Sequence, residues 1–267
     1  MPVRFPDWLT GSRWWWTVRP VAATPVLPTS VPPDPVLPDY GGPNVRGLIP
    51  AFLGPLGAPR PDWIPAVART AEQVVLLVLD GLGWEQLEAR RHLAPTLSAM
   101  QGGPITTVAP STTATALTSI TTGLTPGEHG LVGYRIDMSG EVMNVLRWWT
   151  DGSGDARRSV EPRRTQPFEP FMGQTVPVVS KAELEGSAFT EAHLRGSRPV
   201  GWRAASSIAV EVGRQLAAGE RFVYAYYECV DKIAHERGFG PFYDAELVTA
   251  DRLVADVDAA QDHVHLL

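Results

Sequence analysis

Three short stretches carry residues whose types and spacing suit chemistry. In Val74 to Trp84, VVLLVLDGLGW, six apolar residues run without a break into Asp80, followed by Gly81 and Gly83. Pro110 to Thr125, PSTTATALTSITTGLT, is dense in hydroxyls and opens with Ser111, Thr112 and Thr113. Near the carboxyl end, Asp231 and His235 stand four positions apart in YYECVDKIAHERGFGP. Carboxylate oxygen and imidazole nitrogen, one helical turn apart, suit a hard-to-borderline divalent metal. A Thr hydroxyl is a poor nucleophile until a base or a metal lowers its pKa, and a helix N-terminus beside it would bind an anionic phosphoryl group. Each piece has a plainer reading. Asp80 alone reads as a cap for the helix that starts near Trp84, and His235 alone as an ordinary buried or surface histidine. Their joint order along one chain is what points to a centre.

The apolar pattern defines the elements that must position these residues. The run Val74 to Leu79 is too short for a membrane span and too continuous for a strand with one wet face. It predicts a strand buried on both faces of a parallel sheet. Open α/β sheets place their chemistry beyond the carboxyl ends of their strands, which is where Asp80 falls. A helix is expected from about Trp84 to Arg91, another from Pro95 to about Met100, and a second strand over Ile105 to Val108. In the hydroxyl-rich stretch, Ala114, Leu117, Ile120, Thr121 and Leu124 recur at helical spacing, with Gly123 as the stop and Pro126 beyond it. Further strands are expected at Val176 to Val179 and Phe222 to Tyr227, and helices over Trp202 to Leu216 and Tyr243 to Ala260. The fold class that results is α/β, a mostly parallel sheet sandwiched by helices.

Composition narrows the function. The 267 residues are 44% hydrophobic and 19% charged, with a net charge of −6, which gives no electrostatic reason to expect a nucleic-acid polymer. One cysteine, Cys229, excludes an internal disulfide and a cysteine-based zinc cluster. No run reaches the roughly 18 to 20 apolar residues of a transmembrane helix, and no signal-like segment is evident, so a cytoplasmic setting is expected. Residues 1–40 read as an irregular extension rich in Pro and Trp, with Trp14, Trp15 and Trp16 together and prolines from Pro20 to Pro38. Residues 41–267 read as one α/β domain with an insertion at about 135–175, expected as a solvated loop. The DGLG after the first strand lacks the third glycine of a dinucleotide fingerprint, since Gln86 stands in its place.

Together, LLVLDGLGW, APSTTATALTSITTGLTPGEHGLVGY and YYECVDKIAHERGFGP resemble the alkaline phosphatase superfamily, in its nucleotide pyrophosphatase/phosphodiesterase branch. Pro110 to Thr113 falls on that branch's nucleophile turn, and Thr122 to Gly130 on its T-G-L-x-P-x-x-H-G run. The D-x-x-G-H and G-P motifs are matched more loosely by Asp231, Ala234, His235, Gly240 and Pro241. The resemblance implies a hydrolase of phosphodiester, pyrophosphate or phosphomonoester bonds that passes through a phosphothreonine on Thr113. It implies two divalent ions, zinc in most members, with Asp80 and Thr113 on one and Asp231 and His235 on the other. His129 is implied to be structural, closing the turn after the nucleophile helix. The substrate would be a small phosphorylated molecule, a nucleotide or another phosphodiester. The branch also has a later strand ending in Asp-His-Gly. Asp262 and His263 supply the two letters here, after a helical pattern and without the glycine, so the fold and the second metal site are expected to be incomplete at the carboxyl end. The alternative is a catalytically impaired remnant that binds metal or phosphate on the same fold.

Overall fold

The computed structural model describes residues 35–55, 57–260 and the backbone of 265–266. The three tryptophans at 14–16, and Asp262 and His263, lie outside the described residues. All the described elements belong to one unit, Val36–Leu267.

In chain order, the helices Leu48–Leu53 (α1) and Ala66–Thr70 (α2) precede the strand Val74–Leu79 (β1). Short helices come after it at Trp84–Glu88 (α3) and Pro95–Ala99 (α4), then Thr113–Thr122 (α5) and Pro126–His129 (α6). Four short strands come next, Arg135–Met138 (β2), Glu141–Asn144 (β3), Trp149–Thr150 (β4) and Gly154–Asp155 (β5). Pro162–Thr165 (α7) leads to Pro177–Lys181 (β6), Ala188–Leu194 (α8), Arg198–Trp202 (β7) and Ser206–Ala217 (α9). The chain closes with Phe222–Tyr227 (β8), Cys229–Arg237 (α10), Pro241–Ala259 (α11) and His265–Leu266 (β9).

The main sheet has five strands in the order β7-β6-β8-β1-β9, every pairing parallel. β1 and β8 are its centre, in register from Val74 opposite Phe222 to Leu79 opposite Tyr227. Strand periodicity sends alternate side chains to opposite faces, and both faces are covered. Val74 and Leu76, with Phe222, Tyr224 and Tyr226, pack against Ala114, Leu117 and Ile120 of α5 and Phe189 of α8. Val75 and Leu77, with Val223, Ala225 and Tyr227, pack against Ile208 and Val212 of α9 and Tyr243, Leu253 and Val257 of α11. Each fully buried Val or Leu contributes about 1.5 to 3 kcal/mol, and the central pair of strands carries several of them beneath the residues at their carboxyl ends.

The structure corrects several expectations. Ile105 to Val108 does not form a strand, because only a single parallel bridge joins Thr106 to Asn44. The Asn44 side chain donates to Thr106 Oγ1 and to the Thr107 carbonyl, so local bonds replace a ladder there. Trp202 ends a strand and does not start a helix; α9 begins four residues later. The 135–175 region is no solvated loop. It holds an antiparallel sheet in the order β2-β3-β4-β5, and Trp148 is fully buried beneath it with its indole N–H on the Val160 carbonyl at 2.7 Å. Among the described residues, no helix is long and apolar enough to cross a membrane.

Candidate active site

Asp80 directly follows β1, and its backbone extends the sheet by one bond, with Asp80 N–H donating to Tyr227 O at 3.0 Å. Positions 74, 76 and 78 face the α5 layer, so alternation carried to 80 aims the carboxylate at that layer too. Tyr226, on the same face of β8, meets it and donates its hydroxyl to Asp80 Oδ2 at 2.6 Å. Thr113 is the first residue of α5, and its hydroxyl also lies close enough to the Asp80 carboxyl to stabilise the ionised form. Burial nevertheless raises the Asp80 pKa overall, and the nearby negative charge of Asp231 pushes it the same way.

Asp231 reaches this point because α10 starts directly after β8. Its backbone N–H donates to the Asp80 carbonyl at 2.9 Å. The approach is possible only because Gly81 has no side chain: a Cβ there would sit 2.4 Å from Asp231 Cα, and Gly81 also has a φ of +79°. His235, a turn further along α10, places Nε2 3.5 Å from Asp231 Oδ1 and leaves its ring 80% exposed. Thr113, Asp80, Asp231 and His235 therefore form a chain of neighbours at the carboxyl end of the central strands.

Helix α5 is held in place from behind. Gly123 ends it in the left-handed region (φ +74°), and Thr125 and Glu128 cap the next turn reciprocally. His129 is fully buried. The Leu131 N–H donates to its Nδ1 at 3.1 Å, so Nε2 carries the proton and donates to Ser119 Oγ at 2.9 Å. Desolvation lowers its pKa to about 4, so the ring is neutral and ties the turn to α5.

Two neighbouring residues carry little signal in the sequence. Tyr226 meets Asp80 across 146 positions of chain, and only the alternation of FVYAYY hints that one tyrosine shares a face with it. Glu228, next after β8, pairs with Lys181 Nζ at 2.9 Å while its Oε2 is buried without a hydrogen-bond partner. An aromatic-to-charge step after a strand is the one signal that marks it.

The donors present suit a divalent cation in type. Asp80 and Asp231 are adjacent carboxylates, and among the described residues neither has a Lys or Arg partner. Carboxylate, hydroxyl and imidazole match the ligand chemistry of zinc. The neighbouring pairs are Asp80 with Thr113 and Asp231 with His235. Among the described residues, no three His, Cys, Asp or Glu side chains gather closely enough to hold one ion. β9 pairs with Val74 and Val75, at the far end of β1 from Asp80.

A parallel sheet covered by helices on both faces, with Asp80, Thr113, Asp231 and His235 beyond the carboxyl ends of the central strands, is an open α/β architecture that the alkaline phosphatase superfamily shares. Within it, the chain belongs to the type I phosphodiesterase/nucleotide pyrophosphatase family, whose model matches residues 74–264. No curated protein matches the sequence. Among solved structures, murine ectonucleotide pyrophosphatase/phosphodiesterase 5 is similar in fold, both alone and as an inactive Thr-to-Ala variant in complex with AMP. Each comparison has a TM-score of 0.53 at 14% identity, over 73% of this chain. The chain spans 55% of the length of these solved relatives.

Proposed function

We propose that this chain hydrolyses phosphodiester or pyrophosphate bonds through a covalent phosphothreonine on Thr113. The observation that carries the reading is the placement of Thr113. Its hydroxyl opens a ten-residue helix and lies beside the carboxylate that ends the central strand. The free N–H groups of that first turn favour a phosphoryl group directly in front of the hydroxyl. Asp80, fixed by Tyr226, orients the Thr113 hydroxyl so that an oxygen lone pair meets the phosphorus. The Oγ–P bond forms as the bond to the leaving oxygen breaks on the opposite side, and the hydroxyl proton departs to solvent. Water then attacks the phosphothreonine, and phosphate or a phosphomonoester leaves with Thr113 restored. Zinc, held by Asp80 and Thr113 on one side and by Asp231 and His235 on the other, would lower the hydroxyl pKa and offset charge on the phosphoryl oxygens. The AMP bound by the murine neighbour supports a nucleotide as the substrate class.

Thr113→Ala should abolish hydrolysis of bis(p-nitrophenyl) phosphate in zinc-supplemented buffer while the melting temperature stays within a few degrees. Retention of more than about a tenth of the rate, a barrier change under roughly 1.4 kcal/mol, would remove Thr113 from the chemistry. The two neighbouring donor pairs support a second reading, a metal- or phosphate-binding protein with impaired turnover.

A further inference from the structure

A cavity of about 910 Å³ opens at the amino ends of the central strands, where Val74 begins β1 and Phe222 begins β8. Asp80 stands at the other end of β1, about 20 Å away at the usual strand rise, so the cavity is separate from the candidate site. Its volume lies in the range of about 300 to 1,000 Å³ that small-molecule sites occupy. Three arginines line it: Arg46 before α1, Arg60 between α1 and α2, and Arg221 before β8. Glu72 is the one acidic side chain among the described residues of its lining, and it is exposed. In a chain of net charge −6, this is a local excess of positive charge.

Backbone carbonyls set two of the guanidinium groups in place. Arg46 donates from Nε to the Tyr40 carbonyl at 2.9 Å and from Nη1 to the Gly123 carbonyl at 3.2 Å. Arg60 donates from Nη1 to the Ala68 and Ala71 carbonyls, and its guanidinium lies over the Phe52 ring, 5.0 Å from the centroid. Carbonyls satisfy donors but leave the charge in place. Burial, and then the charge of Arg221, lower the Arg60 pKa, so these two cations are close enough to repel. Among the described residues, none of the three arginines forms an ion pair, and an anion in the cavity would offset the repulsion. The Nε and Nη2 of Arg60 bond no described residue, which leaves part of its fork for a carboxylate, sulfonate or phosphate. The remaining wall is aromatic. Phe52 stacks on Phe222 with centroids 6.3 Å apart and planes at 27°, and Trp63 packs on Gly47, where a Cβ would sit 2.9 Å from the indole. An inorganic ion would leave that wall and most of the volume unused. We propose that the cavity binds a small organic anion, a carboxylate, sulfonate or phosphate on a flat apolar body, with its charge at Arg60 and Arg221. The site does not depend on Thr113 or on a metal.

The probe is 1-naphthalenesulfonate, titrated calorimetrically into the 267-residue chain without added zinc. Sulfate and neutral 1-naphthalenesulfonamide are the controls for charge alone and ring alone. One molecule per chain is expected to bind, at least about tenfold more tightly than either control, which is the scale of one charge-assisted hydrogen bond. Arg221 is exposed and bonds no described residue, so Arg221→Gln should fold, which a thermal melt checks, and should weaken binding by about tenfold or more. Arg60→Gln should weaken it as well. Arg252→Gln, at an exposed arginine of α11, should leave it unchanged and so separates the cavity from a general effect of net charge. No binding of 1-naphthalenesulfonate, an equal affinity for sulfate or for the sulfonamide, the same affinity in Arg221→Gln, or an equal loss in Arg252→Gln would each overturn the proposal. None of these measurements involves turnover, so the phosphothreonine reading stands or falls separately.

Discussion

At the scale of single residues, the site depends on groups that are buried with their charge or proton arrangement fixed. The Asp80 carboxyl accepts from the Tyr226 hydroxyl, while burial and the neighbouring charge of Asp231 raise its pKa. Two histidines behind the site are buried neutral. His129 and His193 both have pKa values lowered to about 4 by desolvation, with His193 Nδ1 on the Phe189 carbonyl at 2.6 Å. A folded-state pKa below the unfolded value of 6.5 means that the unfolded chain binds more protons between the two. Their contribution is therefore complete above about pH 6.5 and is lost as pH falls toward 4, by up to about 3 kcal/mol for each ring. Urea midpoints at pH 7 and pH 4.5 should show the fall, and His193→Gln should make the pH dependence shallower. An unchanged slope in that variant would mean that His193 is not held neutral.

At the scale of elements, the site is the meeting of three chain segments at the ends of β1 and β8. Gly81 is the hinge of that meeting, because its left-handed φ and missing Cβ let α10 come down onto the β1 loop. Gly81→Ala should cost about 2 kcal/mol or more and displace Asp231, through both backbone strain and overlap. A denaturant midpoint shift of less than about 0.5 kcal/mol equivalent would mean that the loop adapts freely. The central elements are legible in the sequence for a physical reason. Val74 to Leu79 is continuously apolar because both faces are buried, and α5 shows helical spacing with a glycine stop. β7 is not legible: Arg198-Pro-Val-Gly-Trp202 carries a mid-strand proline and a glycine, which weaken a strand pattern, and it lies at the edge of the order β7-β6-β8-β1-β9, where a proline is tolerated. The 135–155 sheet is hidden because its strands are two to four residues long, too short for alternation to register. Asp80, Thr113, Asp231 and His235 stand out by type and by position at element ends. Their partner Tyr226 does not, because only long-range pairing gives it its surroundings.

At the scale of the whole molecule, function turns on how many donors the fold delivers to one point. Among the described residues, no three His, Cys, Asp or Glu side chains gather closely enough to hold one ion, and a catalytic zinc ordinarily has three protein ligands. β9 joins the sheet beside β1 with His265 opposite Val74, at the far end of β1 from Asp80. The 267-residue chain is expected to hold at most one zinc ion tightly, measured by elemental analysis after gel filtration. Two tightly held ions in the 267-residue chain would show that donors outside the described residues, Asp262 and His263 among them, complete the site.

On the proposed reading, the phosphoryl group passes through Thr113. The direct measurement is to incubate the zinc-supplemented protein with bis(p-nitrophenyl) phosphate, quench in acid within the first turnovers, and map phosphorylated peptides by mass spectrometry. A phosphoryl adduct on Thr113 is expected, absent from the Thr113→Ala protein. Hydrolysis of the ester with an adduct on another residue, or with unmodified Thr113 at every quench time under conditions that slow the second step, would contradict it.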